Sequence, residues 1–263
     1  MFDYHNHTSF SHDSDARIDN MIEAAIKKGL KQIAITDHYD PEYANPAVNT
    51  YIDLNQNFKE LERVEEKYKK KITVIKGIEL GLQHHVIEYL NSAAVMNHYD
   101  FILGSFHCAE GKDLYGSAYY ANRMASEVYR GFYGYCIKVL KKFDNFDVMG
   151  HVNIIERYSA CVPAFESYGD LIEGIFKLII EKGKGIELNT SSIRYGMGQN
   201  YTPSTIMLRL YKEMGGEIIT IGSDAHRPKD VGSDIQFAAE LLKSLGFKYR
   251  TLFKERKPEF VPL

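Results

Sequence analysis

Seven short runs of β-branched and apolar residues alternate with segments of helical period along the chain, and this alternation restricts the fold more than any other feature. Residues 2–5, 32–36, 73–80, 101–105, 147–152, 185–190 and 218–222 read as strands. Between the first two, Ile18, Met21, Ile22, Ala25 and Ile26 recur at helical spacing and stop at Gly29, as a helix closed by a left-handed glycine does. Leu54, Phe58, Leu61, Val64 and Tyr68 mark a second amphipathic helix, whose KYKKK end places cations on the negative pole of its dipole. Further helices are expected over 86–97, 120–142, 170–182, 204–214 and 235–245, with Thr202-Pro203 as N-cap and first turn of the sixth. Each helix returns the chain to the sheet, so successive strands run parallel, in either a closed barrel or a doubly wound open sheet. The glycine-rich phosphate turn of dinucleotide-binding open sheets is missing, because the first strand runs into HNHTSFSHD. The expectation is therefore an α/β barrel of seven units. No Pro/Gly/Ser-rich linker or repeat interrupts residues 1–263, which are read as one domain.

Composition narrows what such a barrel does. Lys plus Arg number 32 against 35 Asp plus Glu, and no long basic block occurs, so nucleic-acid binding is disfavoured. Cys108, Cys136 and Cys161 are far apart and form no C-x-x-C pair, which argues against a disulfide framework or a thiolate zinc site. A reducing, cytoplasmic setting is expected. No apolar run approaches the ~20 residues of a membrane span.

The histidines are placed unevenly. Of ten, seven fall at or just past strand ends: His5, His7, His12, His38, His107, His151 and His226. Glu79 ends the third strand and Asp224 follows the seventh. In a β/α barrel these ends converge on the C-terminal face, where active sites of this fold are built. Any one of these histidines alone is more often a hydrogen-bonded structural group than a ligand. As a set, they would leave many buried polar groups unsatisfied without a metal. Imidazoles with carboxylates suit Zn²⁺, Mn²⁺ or Fe²⁺, and His5-x-His7 and Asp224-x-His226 have the i, i+2 spacing that points two side chains to one face of a strand. His84, His85 and His98 lie on the third helix or at its end and are assigned no role. Nine candidate ligands exceed the need of one ion, so two or three divalent metals are expected, bridged by Glu79. Such a site favours displacement at phosphorus, and hence phosphate ester hydrolysis.

Arg157 and Arg194 lie in loops after the fifth and sixth strands and match phosphate oxygens in geometry, although each alone reads equally well as a solvated loop residue. Asn189 can contact substrate or satisfy backbone groups. The glycine-containing stretch 189–204 suits a loop that covers a substrate.

The quoted residues form a set: His5-Asn6-His7-Thr8 with His12, Thr36-Asp37-His38, Gly77-Ile78-Glu79, Gly104-Ser105-Phe106-His107, Gly150-His151 and Ser223-Asp224-Ala225-His226. Together they resemble the polymerase and histidinol phosphatase (PHP) superfamily, and the Glu187-Leu188-Asn189-Thr190 run with Arg194 is most similar to its monofunctional histidinol-phosphate phosphatase branch. Around His12 the chain departs from that branch, with Ser11 before it and Asp13 after it.

The resemblance implies a distorted (β/α)7 barrel with a trinuclear site on its C-terminal face. His5, His7, Glu79 and Asp224 would hold the first metal, Glu79, His107 and His151 the second, and His12, His38 and His226 the third. A metal-bridging hydroxide would attack phosphorus, with Arg157 and Arg194 neutralising the phosphate and Asp224 and His226 at the reaction centre. Asp37 would orient a ligand histidine, and Glu110 and Asp113 are candidates for binding the substrate amine. The implied reaction is hydrolysis of L-histidinol phosphate in histidine biosynthesis. The rivals are the same site acting on a nucleotide, an oligonucleotide end or a phosphotyrosine peptide, and a non-catalytic metal-binding module. An amidohydrolase is disfavoured because no strand tip offers the expected bridging lysine.

Overall fold

The computed structural model describes residues 1–197 and 201–263. Strands Phe2–Asp3, Gln32–Ile35, Thr73–Gly81, Phe101–Ser105, Val148–Met149, Gly185–Asn189 and Ile219–Gly222 pair in that order, every neighbouring pair parallel. The first and seventh then meet: Tyr4 N donates to Ile221 O at 3.0 Å, and His7 N donates to Ala225 O at 2.9 Å. The sheet is thus a nearly closed barrel of seven strands, as expected.

Helices Ile18–Lys27, Leu54–Tyr68, Ile87–Met96, Ala125–Leu140, Gly169–Glu181, Thr205–Glu213 and Ile235–Ser244 wrap the outside. Each turns an apolar stripe inward, as Met21, Ile22 and Ala25 do in the first. Gly29 closes that helix at φ +73°, and Asp53 caps the second by accepting from Asn55 N and Gln56 N. The barrel interior is filled at its lower end by Tyr4, Ala34, Ile75, Phe101, Leu103 and Val148, with Leu252 and Phe253 packed among them.

Strand periodicity then sets the upper layer. Residues two apart share a face, so Ile75 in the lower plug leads through Gly77 to Glu79. Phe101 and Leu103 likewise lead to Ser105 and His107. The apolar interior and the polar site are successive layers of the same strands.

Several boundaries shift. The first strand is shorter than 2–5 as a regular ladder, although a bridge between Asn6 and Ala225 continues it. The fourth helix begins at Ala125, after a 3-10 turn at Ser117–Tyr119. Ser204, not Thr202, is the N-cap position of the sixth helix, so Pro203 precedes the cap. A C-terminal hairpin, Tyr249–Lys254 with Lys257–Pro262, was not anticipated. Its turn residues Glu255 and Arg256 both have positive φ, a conformation that Asn-Gly normally signals and that these residue types conceal. Through Leu252 and Phe253 this hairpin supplies part of the lower plug, and Tyr4 Oη accepts from Phe253 N at 2.9 Å. No helix among the described residues is long and apolar enough to cross a membrane.

Candidate active site

Glu79 lies at the centre. It is fully buried, and its two oxygens face different imidazoles. Oε2 lies 3.3 Å from His5 Nε2, 3.6 Å from His7 Nε2 and 2.9 Å from His38 Nδ1. Oε1 lies 3.2 Å from His151 Nε2 and 3.5 Å from His107 Nε2. Asp224 Oδ1 closes the first group, 3.7 Å from His5 Nε2 and 3.4 Å from His7 Nε2. Sequence positions from 5 to 224 are thus brought together.

The far ring nitrogens of His5, His7, His107 and His226 are tied back, whereas His151 Nδ1 has no hydrogen-bond partner among the described residues. His5 Nδ1 meets Glu187 Oε1 at 2.7 Å, and His107 Nδ1 meets Asp40 Oδ1 at 2.8 Å. His7 Nδ1 meets Ser11 Oγ at 3.1 Å, and His226 Nδ1 meets the carbonyl of Asp224 at 3.1 Å. Ser11 Oγ in turn donates to Asp37, which also accepts from Thr8 and Asn57. Asp37 therefore orients His7 through Ser11. A histidine whose Nδ1 is engaged outward and whose Nε2 points into a shared space is arranged as metal-ligating histidines are. The inward atoms fit that use: His5 Nε2, His7 Nε2, His226 Nε2 and Glu79 Oε2 are buried without a hydrogen-bond partner among the described residues. His5, His7 and Asp224, and His38, Glu79 and His107, each bring donor atoms within 4.8 Å of one another.

Electrostatics agree with that arrangement. Burial alone would raise the carboxyl pKa of Glu79, but His5, His38 and His107 outweigh it and hold the group well below its ordinary range. Asp224 is held low against burial by His5, His7, His226 and Arg157. His107 rises to about 9, because Asp40 and Glu79 outweigh its desolvation.

One expected ligand is corrected. Ser11 turns inward to His7 and Asp37, which leaves His12 exposed, its ring centroid 5.4 Å from that of His38. The next residue returns instead: Asp13 Oδ2 lies 3.1 Å from His226 Nε2 and 3.7 Å from His38 Nε2. The geometry puts Asp13 where His12 was expected.

The Arg157 side chain is buried, its guanidinium bound to Ser191 Oγ, 3.6 Å from Asp224 Oδ2 and 4.2 Å above the Tyr195 ring. With Tyr115, Tyr158 and Tyr195 it lines a narrow depression that His107, His151, Asp224 and His226 also line. Arg194 lines a wider neighbouring cleft and donates to the carbonyls of Ser223 and Asp224, and its Nη1 is buried with no partner among the described residues. Asn189 does not reach this space. It is fully buried and spends its amide on Glu187 Oε2 and on Ser191, so it acts as a support and not as a substrate contact. Glu110 pairs with Arg123, and Asp113 accepts from Tyr43 Oη and Tyr115 N, so the side chains of both amine-binding candidates are engaged elsewhere. Of the covering stretch 189–204, residues 198–200 lie outside the described residues.

Sequence reasoning missed Glu187, Asp40 and Ser191 as site residues. The signal for Glu187 was present: a charged residue shares the inward face of an otherwise apolar strand with Asn189.

A β/α barrel with a histidine-carboxylate cluster at its C-terminal face defines a class, and the family model for the PHP domain matches residues 3–191. The chain belongs to the PHP domain family. Among similar proteins, one from Clostridium acetobutylicum named "probable histidinol-phosphatase" is 30% identical over 94% of this chain and 95% of its own. The histidinol-phosphatase of Lactococcus lactis is 27% identical over 97% of this chain and 95% of its own. A crystal structure of the Lactococcus lactis histidinol phosphate phosphatase, complexed with zinc, L-histidinol and phosphate, aligns at a TM-score of 0.88 with 26% identity, covering 98% of each chain.

Proposed function

We propose that this chain is a divalent-metal phosphomonoesterase that hydrolyses L-histidinol phosphate to L-histidinol and phosphate. The observation that carries the reading is Glu79 set between two groups of imidazoles, with the outer nitrogens of His5, His7 and His107 tied back, beside a buried arginine side chain. His5, His7, Glu79 and Asp224 would hold one ion, and Glu79, His107 and His151 a second. His38, His226 and Asp13 would hold a third. Zinc is the metal named with the Lactococcus lactis relative, and imidazole-carboxylate sets also suit manganese and iron. Bound there, divalent ions would supply an activated water and charge neutralisation at phosphorus.

The chain's own residues supply the rest. Arg157, held by Ser191 and Asp224, presents a fixed guanidinium to the phosphate, and Arg194, which lines the neighbouring cleft, offers a further positive charge. Fixed donors need no reorganisation as negative charge builds on the phosphoryl oxygens. Tyr115, Tyr158 and Tyr195 offer flat faces to the imidazole of histidinol. The test is phosphate release from L-histidinol phosphate after loading with Zn²⁺ or Mn²⁺. Turnover that vanishes in Asp224→Asn supports the reading, and no turnover in loaded wild type overturns it.

A further inference from the structure

Glu187 belongs to none of the ligand sets proposed above, yet parts of three strands converge on it. It is fully buried on the inward face of the sixth strand. Oε1 lies 2.7 Å from His5 Nδ1, beyond the first strand. Oε2 accepts from the backbone N–H of His151, after the fifth strand, at 3.0 Å, and from Asn189 Nδ2 at 3.1 Å. The seventh strand is notched to admit it: a Cβ on Gly222 would overlap both Glu187 Oε1 and His5 Cβ. Burying a carboxylate costs several kcal/mol unless its oxygens are satisfied, and an apolar residue would fill this position without that cost. The charge is retained for the groups it holds.

We propose that Glu187 is a positioning residue that fixes the tautomer of His5 and the placement of His151, so that one side chain organises two ligand sets. The inference rests on the reading that the cluster around Glu79 holds metal. A carboxylate only accepts hydrogen bonds, so His5 must carry its proton on Nδ1 and present the lone pair of Nε2 toward Glu79 and Asp224. Glutamine cannot replace it. With its oxygen toward His5, its NH₂ faces two donors, His151 N–H and Asn189 Nδ2. Flipped, the NH₂ faces His5 Nδ1 and forces the proton onto Nε2, where it blocks coordination.

The first measurement needs no metal. Nitrogen-15 NMR of the histidine-labelled, metal-free protein, with His5→Gln to assign the signal, is expected to show His5 protonated on Nδ1. Protonation on Nε2 with Nδ1 bare would overturn the proposal. The second compares zinc retention against a chelator. Glu187→Gln is expected to bind zinc about 10- to 100-fold more weakly, with a metal-free Tm within a few degrees of wild type. Zinc binding within twofold of wild type would overturn the inference. Should Glu187→Gln not fold, Glu187→Asp, which keeps the charge but not the reach, is expected to show the same loss, and wild-type affinity there would count against the proposal. A wild-type protein that takes up no zinc would instead overturn the metal reading, a result the tautomer measurement separates from this one.

Discussion

Asp224 sits in the left-handed backbone region at φ +52°, its carboxylate between His5, His7 and Arg157. Such a conformation in a non-glycine residue is a cost that surrounding contacts must hold in place. Asparagine tolerates it nearly as well as aspartate, so Asp224→Asn is expected to keep the fold while removing turnover; wild-type activity in this variant would contradict the site. Asp13 and His12 separate at the same scale. Asp13→Ala is expected to lower bound metal per chain, and His12→Ala to leave it unchanged, both by metal analysis after gel filtration. Arg194→Ala removes a charged donor and is expected to cost about 2–4 kcal/mol of transition-state stabilisation, read as a roughly 30- to 1,000-fold fall in kcat/KM with bound metal unchanged.

Strands explain why these residues meet. The seventh passes so close to the sixth and first that Gly222 lies against Glu187 and His5. Gly222→Ala is expected to force that pair apart, lowering zinc retention and Tm together; a variant with wild-type values of both would show that the contact yields freely. At this scale much was legible in the sequence. Seven strands and the histidines beyond them follow from short apolar, β-branched runs ending in chemistry-bearing residues, and Glu79 was visible as the one carboxylate closing the third run. The exchange of His12 for Asp13 was not, because the inward turn of Ser11 depends on Asp37 and His7, which are distant partners for a local pattern. Asp40 was hidden for a related reason: its carboxyl fits beside His107 because Gly81, on another strand, has no Cβ to displace it. The C-terminal hairpin escaped because Glu255 and Arg256 do not announce a left-handed turn.

The barrel as a whole is built in two layers, an apolar plug completed by the C-terminal hairpin and, above it, a polar layer crowded with carboxylates and imidazoles. Bound cations would neutralise that upper layer, so chelation is expected to destabilise the fold. A ligand at a thousandfold excess over its Kd contributes about 4 kcal/mol, so removing tightly held metal is expected to lower Tm by roughly 10 °C. An unchanged Tm in chelator would mean that the layer is balanced without metal. The most direct measurement is kcat/KM of the zinc- or manganese-loaded protein for L-histidinol phosphate beside mononucleotides, a phosphotyrosine peptide and p-nitrophenyl phosphate. A preference of several decades for L-histidinol phosphate is predicted, and activity spread evenly over the panel would contradict it.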